Sequence, residues 1–285
     1  MKRLGWILLL AAPLVAQRHN HDRNWKLDER DTIRHTFDLS RGSGAKKLLV
    51  DNISGFVHVT GYNGSAALVV VEKHIYADSS EAMAEARRDV KLDLSEQGNF
   101  ARIYVDGPFR GGNGVNYRGD DSYGYRVVFD IDVQVPYDTE LALKSLNRGD
   151  IQVKNTAGDY DINELNGGIT MEGISGAGSI RTLNGKVSVT YARNPAKPVS
   201  FKTLNGSIDV WFQPGLNADL SFDRLNGAIY TDFEVTARPI TVSGNLSGGK
   251  LIYRGGRSMA GRAGSGGPEL KFQTLNGTIR LHSKQ

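Results

Sequence analysis

The chain has 285 residues, of which 34 are Gly, 8 are Pro and none is Cys. Gly exceeds its usual ~7%, yet 39% hydrophobic and 23% charged residues describe a folded chain rather than a disordered one. The lack of Cys excludes disulfides, thiolate metal sites, Fe–S clusters and Cys nucleophiles, and a net charge of only +4 with no basic stripe excludes nucleic acid as a partner.

Lys2 and Arg3 precede an apolar run over 4–15, interrupted only by Gly5 and Pro13. The run is shorter than the roughly 20 residues that cross a bilayer. Residues 1–16 therefore read as a secretory signal peptide. The expectation is an exported protein, periplasmic, outer-surface or secreted, with no transmembrane segment after cleavage. Residues 17–31, QRHNHDRNWKLDERD, predict a flexible polar leader. His19 and His21 lie within it, but a metal site would need a third fixed ligand.

Residues 32–140 predict a β-rich N-terminal part. Ile33, Phe37 and Leu39 alternate, and Val69, Val70, Val71 and Ile75 mark a strong strand. Leu48 and Val50, followed by Val57 and Val59, form a degenerate first copy of the repeat described below. One short helix is expected over 79–90, with Ala82, Met83, Ala86 and Val90 at helical spacing. Asp78 would cap it, with Glu81 completing a capping box. Strands over 100–105 and 125–135 flank a Gly-rich loop, 107–124, and a second Gly/Arg loop occupies 254–267. Both loops read either as plain insertions or as carriers of recognition.

Residues 141–285 are organised by the tripeptide Leu-Asn-Gly. It recurs at Leu165-Asn166-Gly167, Leu183-Asn184-Gly185, Leu204-Asn205-Gly206, Leu225-Asn226-Gly227 and Leu275-Asn276-Gly277. Leu146-Asn147-Arg148-Gly149 is the same unit with one residue inserted. Two residues after each Gly stands a β-branched residue (Ile151, Ile169, Val187, Ile208, Ile229, Ile279). Three before each Leu stands Leu143, Ile162, Ile180, Phe201, Phe222 or Phe272, and two before those an apolar residue again, with Gly178 as the exception. Both arms have the strand period, and Asn-Gly is a turn signal because both residues tolerate positive φ.

Hairpins joined by Asn-Gly turns are the competing reading. Equivalent residues at a spacing of about 20 favour stacked coils instead. The fold class expected is all-β, a right-handed parallel β-solenoid (β-helix-like) continuous with the N-terminal part. Leu146, Leu165, Leu183, Leu204, Leu225 and Leu275 are expected to stack as a repeat Leu core. Asn147, Asn166, Asn184, Asn205, Asn226 and Asn276 are expected to form a side-chain ladder.

Chemistry-bearing motifs are absent from the sequence. There is no G-x-S-x-G elbow, no phosphate-binding loop and no H-E-x-x-H. Asp209 and Asp223 are the nearest carboxylate candidates for acid–base work. Arg-Gly-Asp occurs at Arg118-Gly119-Asp120 and at Arg148-Gly149-Asp150, the second explained by the repeat itself. The residues call for no catalytic site, no metal and no cofactor.

The Leu-Asn-Gly-x-Ile-x-Val repeats after a signal peptide resemble the bacterial "putative adhesin" family of β-strand-repeat domains, over roughly residues 32–285. The resemblance implies a right-handed β-solenoid, an exported protein and no established enzymatic activity. The function expected is a non-enzymatic interaction module at the cell surface or envelope, with a protein or glycan partner. A self-assembling periplasmic structural or envelope-stress component is the alternative, and a polysaccharide-active β-helix enzyme a third reading.

Overall fold

The structure is a computed structural model that describes residues 24–111, 114–116, 120–239, 245–247, 250–252 and 258–285. The signal-peptide run, most of the leader, Arg118, Gly119 and part of the 254–267 loop lie outside the described residues.

The chain is mostly β, in two large mixed sheets of ten and eleven strands around one continuous apolar core. Each Leu-Asn-Gly ends a strand of the eleven-stranded sheet, and the strand after it lies in the ten-stranded sheet. In the larger sheet Glu140–Asn147, Tyr160–Asn166, Gly178–Asn184, Val199–Asn205, Glu269–Asn276 and Ala218–Asn226 pair in parallel, in that order. In the smaller sheet Ile151–Lys154, Ile169–Ile174, Val187–Tyr191, Ile208–Phe212, Ile279–Ser283 and Ile229–Thr231 do the same. The arms are therefore joined across sheets and not as hairpins. The register sets like on like: Phe201 stacks on Phe272 at 4.9 Å, and Phe272 on Phe222 at 5.3 Å.

The order of stacking is not the order of the chain. The unit containing Leu275 lies between those containing Leu204 and Leu225. The 50-residue gap between Leu225 and Leu275 holds an antiparallel excursion, with Ser258–Ala263 paired to Ala218–Asn226 and to Val235–Arg238. The final strand, Ile279–Ser283, is thus an interior strand.

The N-terminal part contributes to both sheets. Lys47–Asp51 pairs in parallel with Glu140–Asn147, and Val57–Tyr62 with Ile151–Lys154, where the degenerate first copy of the repeat was expected. Leu27–Asp38, Ala66–Ala77 and Tyr125–Pro136 form a long antiparallel group at the edge of the smaller sheet. The helix spans Ser80–Asp89, and its N-cap is Ser79, whose hydroxyl accepts from the Ala82 N–H. The cap is one residue later than the expected Asp78. Met83 and Ala86 are the helix's buried residues.

The turn chemistry also differs from expectation. Of the six corner glycines only Gly227 has positive φ, and no ladder Asn has it. Glycine is required instead because the corners touch. A Cβ on Gly185, Gly206 or Gly277 would lie 2.0, 1.9 or 1.8 Å from the carbonyl oxygen of the corner glycine in the adjoining unit. The residue inserted before Gly149 is Arg148, and it absorbs the extra length with φ 64°.

Adjacent glycines allow a direct test. A Cβ on Gly167 would meet Gly149 O at 2.2 Å, whereas one on Gly168 would meet only ordinary contacts, the nearest at 3.4 Å. Gly167→Ala is expected to lose roughly 3 kcal/mol or more in urea unfolding. Gly168→Ala is expected to be neutral or stabilising by about 0.5 kcal/mol. Similar losses for both would show that corner contact is not what selects glycine.

Candidate functional site

The Leu-Asn-Gly corner is the feature repeated most often, and its side chains divide by phase. Along Tyr160–Asn166 the buried residues are Tyr160, Ile162 and Glu164, while Asp161, Leu165 and Asn166 are exposed. The Leu stands three residues after an inward apolar residue, an odd step, so it faces outward. Leu165, Leu183, Leu225 and Leu275 are 36–50% exposed, and Leu146 and Leu204 are half-buried. The expected Leu core is therefore corrected: the leucines face outward along the corner, with Leu146 alone of the six packed partly against the core, and the core row nearest the corner is Ser145, Glu164, Thr182, Thr203 and Thr274, all buried.

The Asn side chains join along the same edge. Asn166 Nδ2 donates to Asn147 Oδ1 at 3.0 Å, and Asn184 to Asn166 at 2.9 Å. Asn205 donates to Asn184, Asn276 to Asn205 and Asn226 to Asn276, each at 2.8 Å. Each interior carboxamide thus donates one hydrogen bond and accepts one, through separate atoms, its NH2 and its oxygen.

Two members of the row beneath the ladder depart from a hydroxyl, Glu164 and the half-buried Arg224, which is the register partner of Thr274 and donates to the Gly227 carbonyl. Thr182, Thr203 and Thr274 donate their hydroxyls to the carbonyls of Gly167, Gly185 and Gly206 at 2.9, 3.0 and 3.2 Å. Glu164 holds the equivalent place in its unit. Its Oε1 accepts from the Leu165 and Asn166 N–H groups at 3.1 and 3.3 Å, and its Oε2 is buried with no partner. Burial pushes this carboxyl up to about 7, with the nearby Asp150 adding to the rise and the two N–H donors and Ser145 opposing it.

Asp209 and Asp223 do not meet. Asp209 lies on Ile208–Phe212 in the smaller sheet, and Asp223 on Ala218–Asn226 in the larger one. Asp209 is 4% exposed, with Lys186 and Arg280 each at 3.1 Å and the Ser207 hydroxyl at 3.0 Å. Burial alone would raise its carboxyl, but these donors outweigh it and hold it below the ordinary range. It is a fixed anion rather than a proton carrier. Trp211 stacks on His282 beside it at 4.6 Å.

Gly178, the exception in the repeat, borders a cleft of about 490 Å³ with Phe100, Leu141, Tyr160, Ala177 and Pro198, and a Cβ on it would lie 1.8 Å from the Tyr160 carbonyl oxygen. The charges on its rim neutralise one another: Lys47 lies 2.9 Å from Glu140, and Lys197 lies 2.6 Å from Asp159. In the second Arg-Gly-Asp, Asp150 accepts the Gly168 N–H at 2.8 Å, so its carboxylate is engaged by the stack. Among the described residues no group of three or more His, Asp or Glu is placed to hold a metal ion, and no helix is long and apolar enough to cross a membrane.

No protein-family model matches the chain, and no curated protein matches it. Solved structures of similar shape include a "putative cell adhesion protein" from Clostridium sporogenes, at 10% identity and TM-score 0.39, covering 90% of this chain and 100% of that one. They also include a "putative adhesin" from Bacteroides fragilis, at 10% identity and TM-score 0.36, covering 88% and 97%. A "putative lipid binding protein" from Parabacteroides distasonis matches at 12% identity and TM-score 0.29, covering 89% and 96%.

Glu164 makes stability depend on pH. Its folded-state pKa is raised, so the folded chain holds this proton where the unfolded chain has released it. Stability from this group is full below the ordinary carboxylate range, falls as pH rises to about 7, and is flat above. The slope is at most about 1.4 kcal/mol per pH unit. Glu164→Thr, which restores the hydroxyl row, is expected to flatten that segment of a urea-unfolding pH profile and to stabilise the protein at pH values above it. An unchanged slope would remove Glu164 as its source.

Proposed function

We propose that the chain is an exported, non-enzymatic β-solenoid, right-handed in its coiling, that serves as an adhesin-like interaction module at the cell surface or in the envelope. The observation that carries this reading is the unbroken column of Asn–Asn hydrogen bonds through the six Leu-Asn-Gly units. A column of this kind, over stacked core rows, makes a stiff support on which loops and sheet faces can be presented. The basic-then-apolar pattern of residues 1–16 supports export. Of the two carboxylates that stand nearest to a catalytic arrangement, Asp209 is held by Lys186 and Arg280 and Asp223 lies in the other sheet beside Gln273, which favours binding over hydrolysis. The partner class is a protein or a glycan.

Protease shaving of intact cells tests display, with an envelope-permeabilised sample as control. Loss of the protein from intact cells is the expected result. Protection until the envelope is opened would overturn display and move the module to the periplasm.

Self-assembly through the end of the stack is a second reading, favoured by the strand Ile229–Thr231. Its Ala228 carbonyl and Asp232 N–H bond to Ile279–Ser283. By the alternation of a parallel ladder the N–H groups of Ile229 and Thr231 point the other way, where no strand partner lies among the described residues. Such an edge templates pairing with another chain. Concentration-dependent oligomers in sedimentation velocity, lost in Thr231→Pro, are expected on this reading. A strictly monomeric parent protein would exclude it.

A further inference from the structure

The leucine ridge and the row of side chains beside it form a surface that the repeat alone does not demand. In stacking order the ridge is Leu146, Leu165, Leu183, Leu204, Leu275 and Leu225. At about 4.8 Å per strand it runs straight for about 24 Å. It sits where strands end at the corner between sheets, so it projects. The neighbouring outward row, in the same order, is Lys144, Asn163, Arg181, Lys202, Gln273 and Asp223.

Arg181 and Lys202 are direct register partners, both exposed. Like charges directly opposed across a sheet are destabilising, so this pair favours an anion from outside. Lys271 is exposed in the next row out. The acids nearby keep their charge, but none is a register partner of Arg181 or Lys202. Asp161 accepts the Ser179 hydroxyl, Asp150 accepts an N–H at one end, and Asp223 accepts from Gln273 at the other. Lys144 is 3.8 Å from Asp51. Lys186, across the corner, is committed to Asp209.

We infer that this edge of the stack is a docking strip for an anionic lipid surface, with the leucine ridge entering the interface and Arg181, Lys202 and Lys271 meeting headgroup phosphates. A helical protein segment is disfavoured because it lies in a groove, and no ridge leucine borders the cleft beside Gly178. The charge decides against a second copy. Two antiparallel ridges related by a two-fold axis would set Leu183 against Leu204, and therefore Arg181 against Lys202, twice at the centre. The one offsetting pair, Lys144 against Asp223, falls at the ends, where Lys144 already faces Asp51 and Asp223 accepts from Gln273. A bilayer surface accepts a projecting apolar ridge and supplies a field that attracts each nearby cation.

Vesicle co-sedimentation of the full chain tests this. The vesicles are phosphatidylcholine, with or without about a quarter phosphatidylglycerol, whose charge attracts cations within a Debye length. The expected result is binding to the anionic vesicles that weakens with salt. Arg181→Gln with Lys202→Gln should lower it by about tenfold or more. Leu183→Ser with Leu275→Ser should lower it by a similar factor. Both pairs are surface residues, and unchanged thermal unfolding shows that the fold is retained. All variants carry the same apolar N-terminal run, so only a difference from the parent reads the ridge. Equal binding by parent and variants, equal binding to neutral vesicles, or no binding at low salt would each overturn the inference. So would a dimer that Leu183→Ser abolishes in a protein that binds no vesicles, since that result assigns the ridge to self-association.

Discussion

The architecture depends on one contact: the backbone at each glycine corner lies against the carbonyl oxygen of the glycine in the adjoining unit, closer than a methyl group can come. Adjoining units sit at strand spacing, and the corner is where the path bends while that spacing is held. Any side chain there would push the units apart and open the ladder of backbone hydrogen bonds on both sheets at once. Once the corners touch, the rest is in register. The Asn carboxamides meet end to end, the Thr hydroxyls reach the glycine carbonyls, and the phenyl rings of Phe201, Phe272 and Phe222 stack. The polar groups that the bend would leave without partners are thereby satisfied within the stack.

The same geometry explains why leucine is outside. In a unit such as Ile180-Arg181-Thr182-Leu183, inward positions are two apart, so Ile180 and Thr182 face the core and Leu183 cannot. An apolar residue beside a repeated turn looks like a core position when counted by frequency. It is an outward position when counted by phase. The spacing that distinguishes the two was visible in the sequence, and the hydroxyl row was visible with it. Thr182, Thr203 and Thr274 recur at the position that period two assigns to the interior, and their polarity disguised them.

Legibility was uneven for a physical reason. A repeat declares its own pairing, because equivalent residues pair with equivalent residues. The Asn column and the joining of arms across two sheets were readable from Asn166, Asn184 and Asn205. Non-local choices leave no such mark. Nothing in the residues around Leu275 states that this unit pairs with Val199–Asn205 on one side and Ala218–Asn226 on the other. Either neighbour offers the same phenylalanine and the same asparagine, so the register is specified more strongly than the order. The antiparallel group built from Leu27–Asp38, Ala66–Ala77 and Tyr125–Pro136 was readable as strands but not as partners, since its pairing rests on burial of one face and not on a motif. The helix cap moved from Asp78 to Ser79 because either residue can accept an N–H and only the chain direction after Ala77 chooses between them.

A repeat also makes its departures informative. Stacking favours identical neighbours, so a residue that breaks a row costs stability unless something else holds it. Glycine at position 178 stands where the Tyr160 carbonyl leaves no room for a side chain. Glu164 replaces a hydroxyl with a carboxyl that fits the row only when it carries a proton. Arg181 and Lys202 place two cations opposite one another. Asp209 buries an anion and must recruit Lys186 and Arg280 to hold it. The first two departures lie in the interior and change how adjoining units are joined. Asp209 is closed off by the cations that hold it, whereas Arg181 and Lys202 lie on a face that solvent reaches and change what the stack can attract. The repeat therefore accounts for the parallel units of the scaffold, and its departures are what set one unit apart from the next. On the outer faces the breaks are charges, set beside a ridge of leucine that the corner geometry has already turned outward.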